Sequence, residues 1–187
     1  MQHGPIDLRM AFVAVTTRPP CVEPLGDAEQ FAARALRVAY RAALGVLGSR
    51  EAAEDIAQEV AVKALLRAGS VRDPERADAW LYRVATRAAL REARRIGTRR
   101  RAERALYDRQ GAEVVEPASS DPADILALLD GLAPRQRAAL TLRYVFDLPD
   151  DTIAAAMGCR AATVRSHLFH GRAALRSRLE NEGGQET

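Results

Sequence analysis

Apolar residues recur along most of the chain at helical spacing, and no segment alternates as a half-buried strand would. From Phe31 to Leu47 the positions Phe31, Ala35, Val38, Leu44 and Leu47 define one apolar stripe. After a Gly48-Ser49 break, Glu51 to Leu66 carries Ile56, Val60 and Leu65 with alanines between them. A third helix is predicted to start near Asp73-Pro74 or after Asp78, from a capping residue followed by proline, and to run through Trp80, Leu81, Val84 and Ala88. Beyond residue 122 the signals sharpen. Asp121 or Asp124 is placed to cap a helix through Ile125, Leu128, Leu129 and Leu132, and Pro134 opens one containing Leu140, Leu142 and Tyr144. Asp150 or Asp151 is expected to cap a short helix ended by Gly158, and a long helix follows from Ala161 to about Leu179. A short helix, a glycine turn and a basic helix form a helix-turn-helix.

Composition supports an all-α chain. Its 187 residues include 37 Ala, 27 Arg and one Lys, and aromatics make up only 5%. Alanine and arginine are strong helix formers, although codon usage in a GC-rich genome would also raise arginine. The longest purely apolar run near the N-terminus, Met10 to Val15, is far below the ~20 residues of a membrane span. Residues 1–24 have no basic cluster ahead of that run and no small-residue cleavage site, which argues against a signal peptide. They are expected to be a disordered extension, or the product of a misplaced start. Cys21 and Cys159 stand far apart in unlike surroundings and read as free thiols of a soluble, cytoplasmic chain.

Charge changes the picture only when it is divided along the chain. The net charge of +3 names no partner. Arg83 to Arg104, however, holds nine Arg and two Glu, a local +7, and Arg160 to Arg178 holds five Arg, two His and no acid. Between them Ala105 to Gly131 carries six acids and one Arg, a local −5. That stretch, rich in Gly, Pro and Ser, is too poor in large apolar residues to offset its ordering entropy and reads as a linker. The expected organisation is an extension (1–24), a helical domain (25–104), an acidic flexible linker (105–122), a helix-turn-helix domain (123–182) and a tail (183–187).

In the last helix Val164, Leu168, Gly171 and Leu175 form the apolar stripe, leaving Ser166 and His170 opposite it and Arg165 and Arg172 on its flanks. Such groups suit base edges and phosphates in a major groove, but a solvated face on a structural helix has the same pattern.

Three segments carry a family resemblance. Leu132 to Leu179, LAPRQRAALTLRYVFDLPDDTIAAAMGCRAATVRSHLFHGRAALRSRL, resembles the fourth conserved region of bacterial sigma factors of the extracytoplasmic-function group. AAEDIAQE at Ala52 to Glu59 resembles the second region of that family, and AWLYRVATRAALREARR at Ala79 to Arg95 resembles its promoter-binding helix. The resemblance implies two small helical domains joined by a flexible linker, core RNA polymerase and promoter DNA as partners, and no cofactor or metal. It also brings in an anti-sigma inhibitor as a partner class, which no residue here specifies.

By motif position, Asp55, Gln58 and Glu59 would dock on polymerase, and their i, i+3, i+4 spacing puts them on one helix face, where an ordinary solvated face is the alternative. Trp80, Tyr82, Arg83, Arg87, Arg91, Arg94 and Arg95 would contact the minus-ten element, the arginines tracking phosphates and the aromatics available for stacking, although Trp80 reads equally well as core. Arg160, Thr163, Arg165, Ser166, His167, His170 and Arg172 would face the minus-thirty-five element, with Arg165 able to fork onto guanine. The chain departs from the family pattern at Arg87 and Arg91, where many members carry an Asn and an Asp. It departs again at Ala61 and Leu65, where bulky aromatics are usual.

His167 and His170 stand where basic residues are common, so their charge would vary near neutrality. A metal pair with Cys159 lacks a completing ligand. Two other classes remain. A plain helix-turn-helix regulator would bind duplex DNA unaided but has no reason to carry AEDIAQE. An enzyme would need a nucleophile elbow, a phosphate loop or a metal set, and the sequence contains none of them.

Overall fold

The computed structural model describes residues 27–68, 74–110, 129 and 131–183. Among them six helices run in the order α1 (Asp27–Leu47), α2 (Arg50–Arg67), α3 (Pro74–Gln110), α4 (Pro134–Tyr144), α5 (Asp150–Met157) and α6 (Ala161–Gly183), and no strand is present. The expected extension 1–24, Cys21, and the start and first turns of the helix placed near residues 121–132 lie outside the described residues.

The first three helices pack on one another largely through alanine. Ala35, Ala39, Ala42 and Ala43 of α1, Ala53, Ala57 and Ala64 of α2, and Ala85, Ala88, Ala89 and Ala93 of α3 are all buried, with Val46, Val60 and Leu81 among the few bulky residues between them. Small side chains let helix axes approach closely, so a thin layer fills the interior with little large apolar surface. This revises the apolar stripe expected for α2. Ile56 and Val60 face inward, but Leu65 is 49% exposed, and the alanines do the packing instead. Ser49 starts α2 by accepting a hydrogen bond from the Ala52 N–H at 3.3 Å.

The second domain follows the expected order. Pro134 sits in the first turn of α4, and the Gln136 side chain accepts from the Ala133 N–H at 3.1 Å. The cap of α5 differs from the expectation. Pro149 occupies the capping position, and Asp150 and Asp151 fall inside the first turn, where their charges still complement the helix dipole. Gly158 ends α5 at φ 66° and ψ 47°, a left-handed conformation that glycine adopts without penalty, and this turn directs the chain into α6. Val164, Leu168 and Leu175 are buried beneath α6 as the stripe required.

Two findings were not legible in the pattern. The third helix continues six residues beyond Arg104 to Gln110, so the expected linker begins as helix. The two domains also touch, with α1 packed on α4 and α3 on α5. Gly45 makes the first contact possible. A Cβ there would fall on Thr141 Oγ1 and lie 2.7 Å from Thr141 Cγ2. In the loop before α5, Asp147 adopts φ 54°, a turn conformation that Asp tolerates better than most residues. Next to it Phe146 meets the Tyr82 ring edge-on at 5.1 Å, with the Arg41 guanidinium 5.3 Å from the Phe146 ring centre.

Candidate nucleic-acid interface

The acidic face of α2 is open. Asp55, Gln58 and Glu59 are all exposed, while Ile56, Ala57 and Val60 hold the opposite face in the core. Glu59 forms an i,i+4 ion pair with Lys63, an exposed contact that contributes only about 0.3–0.5 kcal/mol. Beyond this polar group α2 leaves Val62, Leu65 and Leu66 at 58%, 49% and 82% exposure. Three large aliphatic side chains standing in water at one helix end cost solvation unless a partner covers them. A groove of about 280 Å³ opens between α1 and α2, lined by Leu36, Arg37 and Tyr40 of α1 and by Glu54, Ala57 and Gln58 of α2. Sequence spacing gave no sign of the α1 residues, because their neighbours on the groove come from another helix.

On α3 the arginines divide by environment. Arg83, Arg87, Arg91, Arg94 and Arg95 are exposed. Arg95 is held by Glu92 through a bidentate pair, with nitrogen–oxygen distances of 2.8 and 2.6 Å, which lowers the Glu92 pKa and raises that of Arg95. Arg87 donates to the Ala155 carbonyl of α5 at 3.2 Å.

The two aromatics do not stand free. Trp80 packs against Phe31, centroids 6.2 Å apart, with the Arg67 guanidinium over the ring at 5.5 Å. Both of its contacts are internal to the first domain, so the geometry favours core over stacking platform. Tyr82 is occupied by Phe146, and burial, followed by the nearby Asp78 carboxylate, raises its phenol pKa.

The proposed reading helix is α6. Arg160, Arg165, Ser166, His170 and Arg172 are exposed, and Thr163 is half-buried. Arg165 lies 3.7 Å from the Asp150 carboxylate, which also pairs with Arg143. His170 stacks edge-on against the exposed Phe169 at 5.4 Å.

His167, like Thr163, is less open than the other residues expected to face the minus-thirty-five element. It is half-buried, its Nε2 is enclosed without a hydrogen-bond partner, and burial, then the charges of Arg135 and His170, lower its pKa. The charged imidazole is therefore disfavoured in the folded chain. Because the folded form disfavours its protonation, stability should be unaffected above the unfolded value near 6.5 and fall as pH drops below it. The Tm of the wild-type chain should therefore decrease more steeply between about pH 6.5 and 5 than that of His167→Gln; identical slopes would contradict this environment. Cys159 is a free thiol whose pKa burial raises, and among the described residues no group of His, Cys, Asp or Glu is arranged to hold a metal. No helix among the described residues is long and apolar enough to cross a membrane.

Comparison with known proteins agrees with this layout. Residues 31–101 match the model of sigma-70 region 2, and residues 123–175 match that of sigma-70 region 4. The chain is 35% identical over 162 residues to the ECF RNA polymerase sigma factor SigE of Mycolicibacterium smegmatis, covering 83% of this chain and 61% of that protein. It is 32% identical over 134 residues to the RNA polymerase sigma-E factor of Streptomyces avermitilis, covering 69% and 72%. Among solved structures, the sigma factor RpoE in complex with the anti-sigma factor NepR from Bartonella quintana shares the fold, with a TM-score of 0.59, 23% identity, and coverage of 83% of this chain and 98% of that one. With regions 2 and 4 both present and in order, the chain belongs to the sigma-70 family of RNA polymerase sigma factors, in its extracytoplasmic-function group.

Proposed function

We propose that this chain binds core RNA polymerase through the outer face of α2 and directs promoter-specific initiation, reading the minus-ten element with α3 and the minus-thirty-five element with α6. It performs no chemistry of its own. The observation that carries this reading is the pairing of an exposed Asp55, Gln58 and Glu59 face, edged by the solvent-facing Val62 and Leu66, with two separate arginine-bearing helices. A regulator that needs only duplex DNA has no use for the first surface. On α3 the arginines follow phosphate charge. On α6 the N-terminal half enters the major groove, where a guanidinium forked onto guanine discriminates by about 1–3 kcal/mol. An anti-sigma factor is a partner class for this chain, as it is for the Bartonella quintana relative.

The test contrasts two arginines in transcription with core polymerase. Arg165→Ala should lower output about 5- to 150-fold from cognate promoters and little from promoters already mismatched in the minus-thirty-five element. Arg91→Ala should lower output at both and reduce the salt slope by about one. Equal losses at matched and mismatched sites for Arg165→Ala would remove its base-reading role.

A further inference from the structure

Where α3 crosses the end of α5, four guanidinium-bearing residues from both domains open onto one cleft. It is about 360 Å³ in volume and is lined by Arg87, Leu90, Arg91 and Arg94 of α3, Arg135 of α4, and Met157 and Gly158. Among the described residues no carboxylate lines it. Arg87 is satisfied by the Ala155 carbonyl, at the end of α5 where the helix dipole is negative. Arg91, Arg94 and Arg135 have no ion pair among the described residues. Three like charges therefore share a cleft whose floor, Leu90 and Met157, is buried and apolar, and among the described residues no carboxylate offsets their mutual repulsion. An anion would relieve it.

We propose that this cleft is a binding site for a diphosphate-class anion, free or as the diphosphate end of a nucleotide, clamped between Arg91 and Arg94 of the first domain and Arg135 of the second. Planar guanidinium forks match phosphate oxygens bidentately, and three unpaired cations balance the roughly three negative charges of a diphosphate. The volume suits a small ligand and is too small for a duplex. Because Arg87, Arg91 and Arg94 lie on the helix proposed to follow the minus-ten strand, filling the cleft and following that strand exclude each other. The bound anion also ties the two domains together. The site rests on the arrangement of these side chains and not on the initiation reading, so either stands if the other fails.

The test is calorimetric titration of the full chain with inorganic pyrophosphate, ADP and AMP at about 0.15 M salt, where long-range attraction between exposed charges is largely screened. Saturable binding of pyrophosphate or ADP at one per chain is expected, with AMP at least tenfold weaker. The tighter of the first two reveals whether a nucleoside adds contacts. Arg135→Ser and Arg91→Ser should each weaken binding at least tenfold, while Arg176→Ser, which removes the same charge from the exposed face of α6, should not. Arg91 is itself exposed, so its variant keeps the test decisive if Arg135→Ser disturbs folding. Binding that never saturates, or that falls equally in Arg176→Ser, would overturn the site.

Discussion

Asp55→Arg is expected to abolish co-elution with core RNA polymerase while leaving the Tm of the free chain within a degree or two of wild type. The second half of that expectation follows from exposure. Asp55 lies on the outer face of α2, and the buried face, Ile56, Ala57 and Val60, is untouched by the change. Surface substitutions away from special features usually stay within about 0.5 kcal/mol. The first half follows from charge. Reversing one charge in the middle of a docking face replaces an attraction with a repulsion and strands the partner cation, a loss of about 2–5 kcal/mol, or roughly 30- to several-thousand-fold in affinity. Gln58→Ala should weaken the complex less, since it removes hydrogen bonds without adding repulsion. Val62→Asp or Leu66→Asp should resemble Asp55→Arg if the apolar end of α2 is covered in the complex. Unchanged co-elution of Asp55→Arg would move the docking surface elsewhere.

The second large effect is expected at the contact between the domains. Gly45→Leu should part them, because the nearest atoms that a Cβ would meet at residue 45 all belong to Thr141 of the other domain. The side chain cannot enter that space, so α4 must move off α1. The radius of gyration measured by small-angle scattering should rise, while the helix content remains. There is a functional consequence. Elements named for positions minus ten and minus thirty-five lie about 25 base pairs apart, about 85 Å at 3.4 Å per base pair. In the structure, Arg87 of α3 is hydrogen-bonded to Ala155 of α5 at 3.2 Å. Under the roles proposed above, both elements cannot be read from this arrangement, which makes it a closed form that opens on polymerase. If the open form is only about 1–10% populated in the free chain, pre-opening raises apparent affinity for core polymerase by about 10- to 100-fold. A Gly45→Leu chain with wild-type dimensions would contradict the closed form, and one with a larger radius but weaker polymerase binding would show that the contact assists assembly.

Much of this molecule could be read from its residues, and the failures share a cause. Helix boundaries at Ser49, Pro74, Pro134 and Gly158 are set by local chemistry, the caps and φ constraints of individual residues, and so they are visible one segment at a time. The stripe under α6 was legible for the same reason. The α2 core was not, because alanine gives a weak periodic signal and Leu65 looked like the better candidate than Ala57 or Ala64. Charge alone places residues 105–110 in the linker, but they are helical, because propagation of an established helix costs little per residue. Trp80, His167 and the arginine cleft depend on what lies across from them: Phe31, Arg135 and α5. Nothing in the one-dimensional pattern pairs those partners. The contact between domains is the extreme case, since it turns on a single glycine facing a single threonine.

The central claim is that this chain gives core RNA polymerase its promoter choice, and run-off transcription on a genomic promoter library tests it most directly. Core polymerase plus the chain should yield discrete start sites that share one minus-thirty-five and one minus-ten sequence. Asp55→Arg should erase them all, and Arg165→Ala should erode those with matched minus-thirty-five elements. Transcripts no more discrete than those of core polymerase alone, together with tight binding of the isolated chain to duplex DNA, would instead make it a helix-turn-helix regulator and contradict the account.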